Sequence, residues 1–596
     1  MSSKPSSMVD SAAVDPPLKA PTLPASTSIS STAGATFSPA KIQGLRTSAA
    51  ASSSSSSINL DGDDNDDKDS LLRRINSNRK DGKAAVPTCR RCRAFKQLGP
   101  KLAEFLTEIP KTDLHVHLDG SPRLSTLIEL AQTHGVELPA YTEEGLRTLV
   151  FHDAYDSLVD YLRGFPPIVR VMQQPGALER IAYEFAWDCI NEGVRYIEPR
   201  FAPQLLATVE VDVIGVLKAA VQGLERAENE FNARTSVQDG SEPPFRFGII
   251  CCAMRVFMTD VSEYYRAFCA LHKDEPPTLV YQLAASALVH AAIHAKKHLH
   301  LPIVGIDIAG QEAGFPAEAF QTAFEVAHKN FLGATVHAGE AFGPEAVFQA
   351  ITDLHCERLG HGYHLFSVDK VTKKENPAAF VEGLVQYVAK RRIMLEVCLT
   401  SNRQTMVELR DDISKHALKD MLAHGICVSL CTDNRLISNT TVVKELLLAI
   451  QHFALTPTEL KTIILEGFKR SFFPGKYLEK RVYVSRMINY YEHIERKYGL
   501  HDWYLSEESV REDRHNPCQQ QQKQRQQQQQ GEEQQQPSAE GLGALVCDMH
   551  ANGDRLQTYS PQCKGPTHFS QKEDGILKRD KHDHNQHLDM PPEVFI

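Results

Sequence analysis

Between residues 110 and 435 the chain repeats one rhythm, a short β-rich apolar run followed by a longer segment with helical spacing. The runs are Thr112–Leu118, Val194–Phe201, Phe247–Met254, Ile303–Ile308, Ala334–Val336, Arg358–Tyr363, Ile393–Cys398 and Ile426–Cys431. Between them, segments such as Ala177–Asn191 place apolar residues at i, i+3 and i+4. Strands separated by helices pair in parallel, because a parallel pair needs a crossover. Eight such units predict an α/β fold, a closed (β/α)8 TIM barrel. An open doubly wound sheet is the structural alternative, but no GxGxxG opens a helix after an early strand.

That barrel accounts for only part of the 596 residues. Residues 1–60 hold 17 serines and a single aromatic, Phe37, and residues 519–536 are glutamine at 13 of 18 positions. Such segments cannot bury enough apolar surface to offset the entropy of ordering. The expected organisation is a disordered Ser-rich and charged extension at 1–97, one barrel at 98–503, and a disordered Gln-rich tail at 504–596. Cys89 and Cys92 form a lone CxxC without a partner pair, too few ligands for structural zinc.

Bulk properties exclude several classes of function. A net charge of −10 and a pI near 6.2 give no electrostatic case for nucleic-acid binding. No apolar run reaches 18 residues, and the most apolar helical stretch, Leu279 to Ala295, is interrupted by Gln282, His290 and His294, so no membrane span is expected. Thirteen scattered cysteines suit free thiols in a reducing compartment, and the N-terminus lacks the apolar core of a secretory signal. A cytoplasmic location is expected, although the Ser-rich, acid-poor start is also compatible with an organellar transit peptide. A monomer is favoured.

A barrel enzyme carries its chemistry at the C-terminal ends of its strands. The first strand ends with Asp113, His115 and His117 at alternate positions, on one face by the two-residue period. Later ends supply Glu198, Arg200, Arg255, Asp307, His337, Glu340, His361, Glu396, Asp433 and Asn434. The sharpest cluster is His115, His117, His337 and Asp433, since three imidazoles and a carboxylate suit a divalent ion such as zinc. An HxH pair alone means little: His298/His300 and His582/His584 share the spacing and read as an exposed helix end and a tail.

These ordered motifs resemble the adenosine deaminase family of metal-dependent amidohydrolases. The resemblance runs from about Pro110 to Tyr490 through KTDLHVHLDGS at 111–121, RIAYEFAWDCINEGVRYIEPRFAP at 180–203, CCAMR at 251–255, GIDIAGQE at 305–312, HAGE at 337–340, RLGHG at 358–362, LEVCLTSN at 395–402 and CTDN at 431–434. It implies zinc-dependent hydrolytic deamination of adenosine and 2′-deoxyadenosine to inosine or deoxyinosine and ammonia, a step of purine metabolism. One zinc per chain would be held by His115, His117, His337 and Asp433. Glu340 would donate a proton to purine N1, His361 would act as base and electrostatic orienter, and Asp433 would also orient the attacking water. The substrate contacts implied are His117, Asp119 at the ribose, the Gly310 backbone at the purine, and Leu158, Tyr161 and Leu162 as an apolar gate.

One departure bears on specificity. Many members of the family have two adjacent aspartates where this chain has Asp433–Asn434. The second position contacts purine N7, an acceptor, and an asparagine amide donates there without first being protonated. A related 6-aminopurine nucleotide such as AMP or N6-methyl-AMP is the alternative substrate, although no phosphate-binding cations can be placed at the mouth. A cytidine-deaminase site would need H-x-E with P-C-x-x-C, which the chain lacks. An inactive binding relative would have lost a metal or acid/base residue, and none is missing.

Overall fold

The computed structural model describes residues 93–500 apart from Lys373. Most of both expected tails, with the Cys89/Cys92 pair, the glutamine tract and His582/His584, lies outside the described residues, but residues 93–97, expected in the disordered extension, belong to a helix, Arg93–Leu98. Within them eight barrel strands appear in chain order: β1 (Lys111–His117), β2 (Val194–Phe201), β3 (Ile249–Met254), β4 (Ile303–Ala309), β5 (Gly333–Ala338), β6 (Arg358–His361), β7 (Met394–Val397) and β8 (Val428–Leu430). Each pairs in parallel with the next, and a two-residue strand, Arg246–Phe247, adds to β2. After β8 the chain returns to β1. There the Asp433 N–H donates to the His115 carbonyl at 2.8 Å and the His117 N–H to the Asp433 carbonyl at 2.7 Å. The sheet is thus a nearly closed (β/α)8 barrel and not an open doubly wound sheet.

Every residue of β1 and β2 is buried, as expected of parallel strands covered on both faces. The outer face meets helices. The helix predicted at Ala177–Asn191 forms over those residues and buries Leu178, Ile181, Ala182, Phe185, Ala186 and Cys189. The longest, Pro277–His298, has the length and mean hydropathy (1.2) of a membrane span. Its buried stripe of Val280, Ala284, Leu288, Ala292 and Ala295 follows the helical period, and all but Val280 join the core cluster; it is a covering helix of the barrel. His298 and His300 are exposed at its end, as expected. All eight cysteines among the described residues are free thiols.

The barrel interior carries buried charges. Glu198 and Arg200 of β2, Asp307 of β4, Arg358 of β6 and Glu396 of β7 are almost completely buried. Taking such ions out of water costs several kcal/mol each, so only complete pairing makes the arrangement tolerable. Glu396 has four partners: His115 Nδ1 at 2.9 Å, Arg200 Nη2 at 2.8 Å, Arg358 Nε at 2.6 Å and Thr335 Oγ1 at 3.0 Å. Arg358 also pairs with Glu198. Arg200 reaches Asp307 Oδ2 with its other nitrogen at 2.7 Å.

Gly193, between the Ala177–Asn191 helix and β2, marks the tightest packing at the N-terminal end. Its φ is +85°, and a Cβ there would lie 1.9 Å from the Thr107 carbonyl oxygen. Gly193→Ala is expected to destabilise the fold by at least about 2 kcal/mol, from left-handed strain and overpacking together. Gly383 sits exposed inside the helix Pro377–Arg391 with nothing near its would-be Cβ. Gly383→Ala should therefore stabilise by about 0.5–1 kcal/mol. Paired denaturant titrations check both signs; a harmless Gly193→Ala would refute the packing argument.

Candidate active site

The alternation along β1 places His115 and His117 together on the inner face, but the register with β2 shifts between Asp113 and Val116, so the expected shared face does not extend to Asp113. Asp113 instead accepts from Thr432 Oγ1 at 2.6 Å and the Thr432 N–H at 3.2 Å, with Arg435 3.8 Å away. It anchors β1 to the segment after β8 and stays out of the histidine cluster. His115 and His117 reach the mouth. Behind His115 stands Glu396, and behind His337 stands Asp307, 2.9 Å from its Nδ1. A carboxylate at Nδ1 draws the ring proton there and leaves Nε2 with a free lone pair facing the cavity.

The inward atoms converge. His117 Nε2 lies 3.2 Å from His337 Nε2, and Asp433 Oδ1 is 3.5 Å from the Nε2 of both His115 and His117. His115 Nε2 is buried and has no hydrogen-bond partner. Such an orphaned nitrogen, among two more imidazoles and a carboxylate, has the donor chemistry of a site for a borderline divalent cation. By distance alone, His115, His337, His361 and Asp433 also form a candidate group, with ligand atoms within 4.8 Å of one another.

Hydrogen bonding separates His361 from that group. The Leu418 N–H donates to His416 Nδ1 at 3.0 Å, so the proton of neutral His416 sits on Nε2. Burial holds His416 down at about 3, which keeps it neutral. His416 Nε2 donates to Asn402 Oδ1 at 3.1 Å, and Asn402 Nδ2 donates to His361 Nδ1 at 3.1 Å. Burial likewise keeps His361 neutral, so with Nδ1 accepting from Asn402 its own proton is on Nε2, facing the cavity. A nitrogen carrying a proton has no lone pair for a metal. His117, whose Nε2 lies against His337 and Asp433, suits the ligand role better.

Two of these residues are held in an uncommon backbone conformation. His361 has φ +63° and Asp433 φ +60°, in the left-handed region that costs a non-glycine residue about 1–2 kcal/mol. The Asp433 carboxylate is fixed on its other side by Ser401 Oγ, 2.6 Å from Oδ2. Burial alone would raise its pKa, but polar contact with the imidazoles of His115, 3.5 Å away, His361 and His117 holds it well below the usual carboxylate range. Glu340 goes the other way. Burial, with the nearby charges of Asp433 and Glu312, pushes it well above the ordinary glutamate value, against the opposing charge of Arg255. Its Oε2 is 3.7 Å from His361 Nε2.

The residues read as substrate contacts lie around this cluster. Asp119 is buried, with Oδ1 unpartnered and 3.8 Å from His117 Nδ1. Asn434 is buried with its amide against Gly120, where a Cβ would come within 1.8 Å of Oδ1. Gly310 follows β4 with φ +97°. The short helix Leu158–Leu162 buries Tyr161, whose hydroxyl meets Ser438 Oγ at 2.8 Å, while Leu158 and Leu162 are half-buried against the core. Sequence reasoning assigned no role to Ser401, Asn402, His416 or Glu312. The first two and Glu312 lie inside recognised motifs just past strand ends, a position that could have flagged them; nothing in the sequence marks His416.

Comparison with known proteins agrees with this geometry. The adenosine deaminase family pattern matches residues 110–300 and 279–489, more than half the chain. Adenosine deaminase of Vibrio cholerae is 32% identical over 368 residues, covering 61% of this chain and 94% of that protein. Among solved structures, an amidohydrolase from Burkhoderia ambifaria with bound Zn has a TM-score of 0.51 at 21% identity, covering 67% of this chain and 95% of its own. Arabidopsis ADAL complexed with GMP has a TM-score of 0.50 at 23% identity, covering 65% and 98%. At these identities the structures speak for the barrel alone. Family pattern and sequence relative together show that the chain belongs to the adenosine deaminase family, the hydrolytic deaminases of the amidohydrolase superfamily.

Proposed function

We propose that the protein catalyses zinc-dependent hydrolysis of adenosine and 2′-deoxyadenosine to inosine or deoxyinosine and ammonia. The observation that carries this reading is the buried, orphaned His115 Nε2 beside His117, His337 and Asp433, three residues before Glu340 in the case of His337. One zinc ion would be held by His115, His117, His337 and Asp433. When bound, such an ion supplies Lewis acidity and lowers the pKa of water from about 15.7 to about 7.

The chain's own groups do the rest. Protonated Glu340 donates to N1 of the purine, drawing electrons from C6. The attacking oxygen bonds to C6, oriented by the Nε2–H of His361 and by the Asp433 carboxylate. The proton lost by the attacking water passes to the Asp433 carboxylate and from there to N6; the C6–N6 bond then breaks, ammonia leaves, and the C6 hydroxyl proton returns to Glu340. Asp119 is assigned to the ribose, the Gly310 backbone to the purine edge, and the Asn434 amide to N7. Leu158, Tyr161 and Leu162 cover the base and exclude water.

Purified protein is expected to release ammonia from adenosine and deoxyadenosine, to stop when chelated, and to recover when zinc is restored. Fully metallated protein that leaves both nucleosides intact while converting AMP or N6-methyl-AMP would overturn the nucleoside reading. Glu340→Gln should retain its metal and lose about 100-fold or more in kcat. Because the protonated form is the active one and its pKa is raised, wild-type kcat should persist above the ordinary glutamate range near pH ~4.3 and fall only as pH passes the raised value. A decline already complete near the ordinary value would refute Glu340 as acid. Glu396→Gln removes the carboxylate charge behind His115 and should weaken zinc binding by about 10–100-fold in competition with a chromogenic chelator.

A further inference from the structure

Glu340 sits in a turn whose backbone is not satisfied by helix or sheet. Four successive amides there point at one side chain. The Gly339 N–H donates to Glu312 Oε1 at 2.7 Å, and those of Glu340, Ala341 and Phe342 donate to Oε2 at 3.0, 2.7 and 3.0 Å. Gly339 has φ +70°, which helps curl the amides into a concave nest of the kind that binds anions. Here the anion is supplied by the protein. The loop carrying Glu312 is itself tied down, because Arg255 donates to the Phe315 carbonyl with one nitrogen and to the His337 carbonyl at 2.7 Å with the other.

We propose that Glu312 is a positioning residue for the reaction, fixing through these four hydrogen bonds the turn that aims Glu340 at the substrate. The inference rests on the assignment of Glu340 as the acid. All four hydrogen bonds of Glu312 go to the backbone of residues 339–342 and none to the side chain of a candidate metal ligand, so it acts through that backbone. A carboxylate is needed because it offers about four lone pairs, whereas an amide offers one accepting oxygen and an NH₂ that opposes the remaining N–H groups. The Glu312 carboxylate also adds to burial in raising the Glu340 carboxyl above the ordinary glutamate value.

The test is a double-mutant cycle on the full-length, zinc-loaded protein with adenosine as substrate. Glu312→Gln is expected to lower kcat by about 10-fold or more with KM changed less than about 3-fold. In the Glu340→Gln background the same change should have little further effect. If Glu312→Gln costs the same factor in both backgrounds, or nothing in the wild type, the inference is overturned. If Glu340→Gln itself keeps full turnover, it is the acid assignment that fails. Wild-type hydrogen exchange guards against a variant that does not fold: the amides of 339–342 should be among the protected ones although they lie outside regular structure, and rapid exchange there would sink the proposal.

Discussion

Asp307 and Glu396 stand behind the site's histidines, and the guanidinium of Arg200 joins them through contacts of 2.7 and 2.8 Å inside the barrel. The rest of the site depends on that bridge. Each carboxylate turns one imidazole, His337 or His115, so that its lone pair faces the cavity. Two anions so close to one another and to Glu198 could not remain ionised without Arg200 and Arg358 between them. Burial would raise Glu396, yet Arg200, Arg358 and His115 hold it well below the usual range. Asp307 is likewise held low, by His337 and Arg200 against burial. The network is weak evidence for stability, because replacing buried ions by apolar groups is often neutral. Its value lies in fixing ring orientation, which an apolar interior could not do.

Closure of the barrel and construction of the site are one event. The seam between β8 and β1 is held at Val116 and Asp433 by backbone bonds, and Asp433 also provides the carboxylate of the cluster. The left-handed backbone at Asp433 is tolerable because the chain is held on both sides, by the His115 and His117 peptides and by Ser401 on the side chain. His361 shows the same logic, with its ring fixed by Asn402 and His416. The scaffold thus holds strain where a substrate-facing group must project from a strand end.

Much of this was legible in the sequence because the barrel repeats a simple physical pattern. All eight strands fall within a few residues of their apolar runs, and the Ala177–Asn191 helix coincides with its apolar periodicity. Alternate spacing correctly placed His115 and His117 on one face. The same rule misplaced Asp113, because period two holds only along an unbroken register and the shift between Asp113 and Val116 interrupts it, leaving Asp113 to pair with Thr432. The tautomer of His361 was beyond reach for another reason. It is set by a backbone N–H at Leu418 acting through His416 and Asn402, and only tertiary folding brings those groups into line. Glu312 shows a third limit: a glutamate's role as acceptor for four amides appears only once the turn at 339–342 is curled toward it.

Two carboxyl groups then share one mouth and are driven apart by what surrounds them. Asp433 faces imidazoles and a serine hydroxyl, all of which favour its ionised form despite burial. Burial and the carboxylates of Asp433 and Glu312, with only Arg255 opposing, push Glu340 well above the ordinary glutamate value. Shifts in opposite directions are what the proposed deamination calls for, one group to give a proton to the ring and one to hold the nucleophile. The division is not written into either residue. It follows from placing Glu340 on a turn pinned by an anion and Asp433 at a seam lined by histidines, so the chemistry of the mouth is a consequence of how the barrel is tied together below it.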